Sequence, residues 1–254
     1  MSLNPCLDDI LVEVAAPEQI LALSHFSRDP SASSVGVETA KRFGVTGGTA
    51  EEVLALEPDI VLASTFMPPA TRAAFERLGL RVESFGSPST AEESAKQVER
   101  IGELSGKQIN AKALARAMLF PTWPPLYTPP PPPAKGWEPA PDPSVLLWQP
   151  GQIVAGDASL IIHLIKQEGF TSYGSEAGMQ QADHVSLERI LIDPPDVLLV
   201  AGDSAGQSHP ILDKLEGTRV HPFAPNLFYC GGPSILKARE ELNRIRLSFE
   251  DFGG

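Results

Sequence analysis

The stretch TAEEVLALEPDIVLAS (residues 49–64) decides the fold, because the chain repeats its pattern in SLERILIDPPDVLLVAG (residues 186–202). Each copy begins with a hydroxyl residue, Thr49 or Ser186, that can cap a helix, and carries a glutamate two positions later, where a carboxylate favours the helix dipole. A Pro-Asp pair then ends the helix, and a short, branched, apolar run follows. The sequence therefore predicts two copies of a unit in which a helix leads into a buried strand of a parallel sheet.

The stretches on either side of each copy extend it into an α/β lobe. Further short apolar runs predict strands, and further periodic segments predict helices. The predicted strands lie at 19–25, 81–85, 144–151, 218–223 and 226–232, and the predicted helices at 69–80, 158–170 and 209–217. Because each lobe contains one copy of the repeat, we expect two α/β lobes and not one sheet that contains both copies.

The segment between the predicted lobes consists of a helical part, followed by a proline-rich part. Residues 89–120 have helical periodicity, with a break expected near Gly106. Residues 121–143 contain 11 prolines among 23 residues, which predicts a stiff surface connector and leaves open a docking peptide for a proline-recognising domain. The predicted domains are an N-terminal lobe at 1–88, a helical and proline-rich connector at 89–143, and a C-terminal lobe at 144–254.

The composition argues against several classes of protein. The net charge is −12, and no run of basic residues exceeds the pair Lys41-Arg42, so we expect no nucleic acid as a partner. No apolar stretch reaches the ~20 residues that a membrane helix needs, which predicts a soluble protein. The sequence has no GxSxG elbow, no P-loop and no GxGxxG motif after a strand, so we expect neither an enzyme nor a bound cofactor.

The two cysteines, Cys6 and Cys230, are too few for a disulfide framework or for a zinc site made of cysteines. We expect them to stay unbonded, because each is assigned to the end of a strand in a different lobe and a disulfide needs Cα atoms within ~7 Å. The five histidines lack the i, i+4 spacing and the HExxH pattern of metal-binding helices. We therefore predict no metal ion that is bound directly by side chains.

Four stretches together resemble the periplasmic substrate-binding proteins of ABC importers for siderophores, haem and cobalamin, the class III family with a helical backbone. They are SLNPCLDDILVEVA (2–15), GGTAEEVLALEPDIVLAS (47–64), VSLERILIDPPDVLLVAGD (185–203) and YCGGP (229–233). The resemblance covers essentially the whole chain. It implies an α/β fold of two Rossmann-like lobes, which are joined by a bridging helix and hold a ligand in the cleft between them.

The same resemblance implies a function. A member of this family is the substrate-binding component of an ABC importer, which captures a metal chelate such as a ferric siderophore, haem or a corrinoid. It delivers the chelate to the membrane permease and its ATPase. The resemblance thus implies a monomer in the periplasm, with the export signal absent from this sequence.

The loops that follow the predicted strands supply the candidate ligand-binding residues, since ligands bind at the carboxyl ends of strands in open α/β sheets. The candidates are His25, Phe26, Arg28, Phe66, Trp148, Gln149, Tyr173, His184, Asp203 and Tyr229. Their aromatic rings offer rigid apolar faces to a flat chelate, with Trp148 as the foremost aromatic residue. Arg28 can bind a carboxylate of the ligand through two parallel hydrogen bonds.

Two other functions stay open at this point. In a transport protein that binds zinc or manganese directly, His25, His184 and Asp203 would be the metal ligands. In a two-lobed metal-cluster enzyme subunit, Cys6 and Cys230 would ligate the cluster, although two thiolates are too few unless another subunit contributes. For single aromatic residues such as Phe66 and Tyr229, packing in a core is the alternative to ligand contact.

Overall fold

A computed structural model of the 254-residue chain describes residues 1–119, 141–179, 182–202, 207 and 209–249. The chain divides into two compact units. Unit 1 consists of Met1–Leu119 and Pro225–Ala238, and unit 2 of Phe120–Ala224 and Arg239–Gly254. Residues 120–140, with most of the proline-rich stretch, lie outside the described residues.

The helices and strands of the described residues follow one another along the chain in α/β order. The helices are α1 Pro5–Val14, α2 Val37–Ala40, α3 Ala50–Ala55, α4 Pro69–Arg77, α5 Ala91–Ser105, α6 Gln108–Leu119, α7 Leu160–Gln167, α8 Tyr173–Glu176, α9 Leu187–Ile192 and α10 Ser234–Leu247. The strands are β1 Ala22–Ser24, β2 Gly44–Thr46, β3 Val61–Ser64, β4 Val82–Phe85, β5 Ser144–Gln149, β6 Ile153–Val154, β7 Thr171–Ser172, β8 Asp183–His184, β9 Val197–Val200 and β10 Arg219–Pro222. Short 3-10 helices lie at Pro17–Gln19, His25–Arg28, Pro150–Gln152, Pro210–Lys214 and Pro225–Leu227.

The repeated pattern folds as predicted in both copies. The hydroxyl oxygen of Thr49 accepts the N–H of Glu52 at the start of α3, and that of Ser186 accepts the N–H of Arg189 at the start of α9, each at 3.3 Å. The strands that follow, β3 and β9, are buried and belong to different sheets. The prediction that the two copies lie in two separate α/β units is confirmed.

Unit 1 has a parallel arrangement of strands that the first three residues hold together. β1 pairs with β2 and β3 pairs with β4, both in parallel. The N–H of Ser2 donates to the carbonyl of Ala22 in β1, and the N–H of Leu3 donates to the carbonyl of Leu62 in β3. Ser2 also pairs in parallel with Leu62, so residues 1–3 lie between β1 and β3.

Unit 2 has one sheet in the order β10-β9-β5-β6-β8, and β7 also pairs with β5. The pairs β10–β9, β9–β5 and β5–β7 are parallel. The pairs β5–β6 and β6–β8 are antiparallel. The helix predicted at residues 209–217 is present as a 3-10 helix at Pro210–Lys214. The strand predicted at residues 226–232 needs correction, because these residues form no strand and begin within the 3-10 helix Pro225–Leu227.

The predicted helical segment before the proline-rich stretch consists of two helices that pack on each other. α5 ends at Gly106, which has the left-handed φ of 69° that a glycine adopts without strain, so the predicted break is confirmed. A Cβ atom at Gly102 would overlap the Cβ atom of Ala111 in α6, so the close packing requires glycine there. Both helices belong to unit 1, which differs from the separate connector expected from the sequence.

The chain returns to unit 1 after β10, and we call residues 225–238 the return segment. Within it, the N–H of Gly232 donates to the hydroxyl of Ser94 in α5 at 2.6 Å. The hydroxyl of Ser34 donates to the carbonyl of Asn226, also at 2.6 Å. The predicted C-terminal lobe of residues 144–254 is therefore interrupted by a segment that packs elsewhere.

The expectation that Cys6 and Cys230 stay unbonded is wrong. The two cysteines form a disulfide with their Cα atoms 5.0 Å apart, and neither is free. The expectation failed because it assigned Cys230 to the second lobe, whereas the return segment brings it to the first turn of α1 in unit 1.

Replacing both cysteines by serine should lower the free energy of unfolding by about 2–5 kcal/mol, because the unfolded chain regains the conformations that a cross-link over so many residues excludes. Urea denaturation of the wild type and of the double variant, with and without a reductant, measures the difference. The reductant should destabilise the wild type and leave the variant unchanged. Two free thiols in the denatured, unreduced wild type would disprove the bond.

Candidate functional site

The carboxyl ends of the strands of unit 1 form the first part of the candidate site. The 3-10 helix His25–Arg28 follows β1, a turn at 65–68 follows β3, and α1 follows residues 1–3. Because residues 1–3 pair in parallel with β3 and contact β1, these three connections lie at one edge of the sheet. We call it the unit 1 edge, and edges of this kind bind ligands in open α/β sheets.

Three aromatic side chains at the unit 1 edge are exposed. Phe66 is 79% exposed, Tyr229 is 51% exposed and Phe26 is 44% exposed. The ring of His25 packs against that of Phe26 with their centroids 4.0 Å apart. Large exposed aromatic side chains at the edge of a sheet form a surface that can bind an apolar or conjugated molecule.

Tyr229 reaches this edge through the disulfide. Its neighbour Cys230 is bonded to Cys6, which lies in the first turn of α1 directly after residues 1–3. The sequence had assigned Tyr229 to the second lobe, and this assignment is wrong because Tyr229 belongs to the return segment in unit 1. No pattern in the sequence indicates that the chain returns to the first unit after β10.

The guanidinium of Arg28 already forms one hydrogen bond within the protein. One terminal N–H of its guanidinium donates to the carbonyl of Phe43 at 2.8 Å. This bond positions an exposed arginine beside the loop that leads into β2. A guanidinium has five N–H donors, so the side chain can still bind an anionic group of a ligand.

The glycine-rich loop GVTGGT (44–49) does not present free donors to a phosphate. The carboxylate of Glu52 accepts the hydroxyl of Thr46 at 3.0 Å and the N–H of Gly47 at 2.8 Å. The hydrogen bond from the Thr46 side chain is the main cause that lowers the pKa of Glu52. The loop therefore binds a carboxylate of its own chain at the place where a phosphate-binding loop would hold a ligand.

In unit 2, the structure corrects the two aromatic candidates. Trp148 is 1% exposed, its ring lies in a cluster with Leu146 and Ile190, and its indole N–H donates to the carbonyl of Val185 at 2.9 Å. Tyr173 is buried in the same cluster, and its hydroxyl donates to the carboxylate of Asp193. A side chain enclosed in this way is a core residue, so Trp148 is not the foremost ligand-binding aromatic.

The other candidates of unit 2 differ in exposure. Gln149 is half-buried at the end of β5, and His184 is exposed in β8, where its Nδ1 lies 3.1 Å from the carbonyl oxygen of Gly151. Asp203 lies outside the described residues. Within the described ranges, no group of three or more His, Cys, Asp or Glu side chains is arranged to hold a metal ion.

Sequence reasoning missed Gln207, which joins two strand ends of unit 2. Its side-chain amide donates to the carbonyl of Trp148 at 2.9 Å and to that of Ala201 at 2.5 Å. These bonds tie the end of β5 to the end of β9 in the interior. A lone glutamine in a polar loop has no pattern that would mark this role in advance.

Asp8 was also missed, and it is a buried carboxyl group behind the unit 1 edge. The N–H of Ser24 donates to both of its oxygens at 3.1 Å, and the Ser24 hydroxyl donates to one of them at 2.5 Å. Burial raises the pKa of Asp8 from 3.8 to about 7, although these hydrogen bonds stabilise the charged form. Asp8 thereby anchors α1 to the end of β1.

Asp8→Asn should change how stability depends on pH. Between pH 4 and pH 7 the native state holds a proton on Asp8 that the unfolded state has released, so ionisation of this group lowers the stability as the pH rises. An asparagine cannot ionise, and the variant should therefore gain stability relative to the wild type over this range, by at most about 4 kcal/mol. Urea denaturation at several pH values measures the gain. A difference that stays constant would contradict the raised pKa.

Trp148→Ala should lower the free energy of unfolding by about 3–5 kcal/mol, because it leaves a cavity in the core of unit 2 and removes a hydrogen bond. Phe66→Ala should change it by no more than about 0.5 kcal/mol, because the side chain is exposed. Chemical denaturation followed by circular dichroism compares the two variants. Equal losses would contradict the assignment of one residue to the core and the other to the surface.

Comparisons with known proteins agree with this architecture. Residues 1–119 match the family model described as "Periplasmic binding protein". No curated protein sequence matches the chain. No helix in the described part of the chain has the length and apolar character to cross a membrane.

Solved structures of periplasmic binding proteins match the chain over nearly its whole length. The periplasmic heme-binding protein RhuT from Roseiflexus sp. RS-1 is 19% identical with a TM-score of 0.69, over 98% of this chain and 97% of that protein. The vitamin B12-binding protein BtuF of Vibrio cholerae is 16% identical with a TM-score of 0.69, over 99% and 96%. A possible iron-binding protein from Staphylococcus epidermidis is 17% identical with a TM-score of 0.65, over 98% and 97%. The resemblance that the sequence indicated is confirmed, and so is the α/β fold class.

Proposed function

We propose that this chain, which has the fold of the periplasmic binding proteins and matches their family model over residues 1–119, is the substrate-binding component of an ABC importer for a metal chelate. The observation that carries the proposal is the group of exposed aromatic side chains at the unit 1 edge, Phe26, Phe66 and Tyr229. The chelate class is a ferric siderophore, haem or a corrinoid. The similar solved proteins include ones named for binding heme, vitamin B12 and iron.

The chemistry of the unit 1 edge suits a broad and rigid ligand. Such a ligand loses little conformational entropy when it binds against aromatic rings, so less of the free energy of its apolar contacts is offset. The exposed guanidinium of Arg28 adds a positive charge that can bind a peripheral carboxylate or the negative charge of a ferric chelate. The ring of His25 packs at a tilt against that of Phe26 and widens the same surface.

We propose that the carboxyl ends of the strands in unit 2 contribute to binding through polar groups. Gln149 ends β5 and His184 lies in β8, and both side chains have access to solvent. Trp148 takes part only indirectly, because its burial fixes the strand that carries Gln149. The proposed ligand contacts of unit 1 are therefore His25, Phe26, Arg28, Phe66 and Tyr229, and those of unit 2 are Gln149 and His184.

A binding role is favoured over a metal-cluster enzyme subunit by the state of the cysteines. A cluster needs thiolate ligands, and Cys6 and Cys230 are joined to each other in a disulfide. The disulfide also supports an oxidising compartment such as the periplasm, because such bonds are rare in the cytosol. Delivery to a membrane permease and its ATPase, by a monomer, completes the proposed function.

A panel of ligands tests the proposal by thermal shift. Ferric siderophores, haem and corrinoids are the chelates to be compared, with free zinc, free manganese, amino acids and sugars as the controls. A ligand that binds only the native state stabilises it by ~2.7 kcal/mol at 100 times its dissociation constant. Stabilisation by free zinc or manganese alone would favour the direct-metal alternative, and conversion of a panel compound would favour an enzyme.

Phe66→Ala should weaken binding of the chelate that the panel identifies by at least about 10-fold, or 1.4 kcal/mol, because the variant removes the most exposed ring of the unit 1 edge. Ile192→Ala is the matched control, since Ile192 is an equally exposed apolar side chain on α9 in unit 2. Fluorescence or calorimetric titration measures both dissociation constants. Equal affinities of the two variants would remove Phe66 from the site.

A further inference from the structure

Unit 1 contains a cavity of about 310 Å³ away from the aromatic residues of its edge. Its walls come from α1, the start of α2, α6 and the return segment. Phe26, Phe66 and Tyr229 do not line it, so it is distinct from the chelate site proposed above. The volume lies at the lower end of the range of small-molecule sites.

Two buried oxygen atoms in the cavity wall have no hydrogen-bond donor. Asp9 is 7% exposed, and the backbone N–H of Ser234 at the start of α10 stabilises its charged form, which lowers the pKa of Asp9. Its Oδ2 has no partner among the described residues, and the same holds for Oδ1 of Asn226. Buried polar atoms in proteins are nearly always hydrogen-bonded, so two unpaired acceptors in one cavity indicate a ligand that carries N–H donors.

The charges around the cavity favour a cation. The carboxylates of Asp9 and Glu13 both line it, and the single basic side chain in its lining is Lys237. Lys237 is exposed and forms no ion pair with either carboxylate in the described part of the chain, although its charge acts on Asp9 and lowers the pKa of that carboxyl. Burial raises the pKa of Asp9 to about 6, and the nearby charge of Glu13 adds to this shift, which a bound cation would oppose.

The rest of the wall combines apolar side chains with the hydroxyl residues Ser34, Thr39 and Ser234. Val12 of α1, Leu114 of α6 and Leu227 and Leu236 of the return segment line the cavity beside the two acceptors. A metal ion would prefer a full set of oxygen ligands, and the described residues provide no such group here. An organic cation with a short hydrocarbon chain uses both the acceptors and the apolar wall.

We propose that this cavity binds a small aliphatic ammonium compound. The ammonium group donates hydrogen bonds to Oδ2 of Asp9 and to Oδ1 of Asn226, and its hydrocarbon chain contacts Val12 and Leu114. The bound molecule connects α1 to the return segment. The proposal does not depend on the function proposed for the unit 1 edge.

Calorimetric titration of the full chain with n-butylammonium chloride tests the proposal. Three comparisons use potassium chloride, n-butanol and tetramethylammonium chloride, which lack respectively the hydrocarbon chain, the charge and the N–H donors. We expect saturable binding of n-butylammonium alone. No saturable binding, or equal binding of potassium or tetramethylammonium, would overturn the proposal.

Variants locate the site. Asp9→Asn replaces the unpaired acceptor by an amide without charge and should weaken binding at least about 10-fold. Glu99→Gln removes the same charge from an exposed position of α5 and should leave the affinity unchanged. Asn226→Leu, which removes the second acceptor, should also weaken binding and serves as the test if Asp9→Asn does not fold. Unchanged affinity in a folded Asp9→Asn or Asn226→Leu variant would overturn the assignment.

Discussion

The attachment of the return segment to α1 is the constraint on which the rest of unit 1 depends. The disulfide between Cys6 and Cys230 fixes the segment covalently. The hydrogen bond from the N–H of Gly232 to the hydroxyl of Ser94 adds a second attachment. Without these contacts Tyr229 would not lie at the unit 1 edge, and the cavity beside Asp9 and Asn226 would lack one of its walls.

Helix α1 buries two consecutive carboxyl groups in different surroundings. Successive residues of a helix point about 100° apart, so Asp8 faces β1 while Asp9 faces the return segment. Burial is the main cause of the raised pKa of both groups. The difference lies in their hydrogen bonds, because Asp8 is fully engaged by Ser24, whereas Asp9 keeps one oxygen unpaired. The hydrogen bonds of Asp8 hold the end of β1 against α1, whereas the unpaired oxygen of Asp9 is the acceptor in the proposed ammonium site.

Phe66 and Trp148 illustrate how far the candidate site could be predicted. Both lie at or just beyond the end of a strand, and their sequence context is equally consistent with ligand contact. The structure exposes Phe66 and encloses Trp148, because β5 is an inner strand whose face is covered by α9 and its neighbours. Exposure depends on what packs against each face of the sheet, and a single strand does not encode this.

The sequence by itself determined the elements that depend on neighbours within a turn or two. The caps at Thr49 and Ser186, the strands β3 and β9 and the break at Gly106 follow from residues a few positions apart, which interact in nearly any fold of the chain. Only the tertiary structure decided the disulfide, the place of the return segment and the burial of Trp148. Cys6 and Cys230 are separated by 224 residues, and contacts over such distances form only when the packing of the whole chain brings them together.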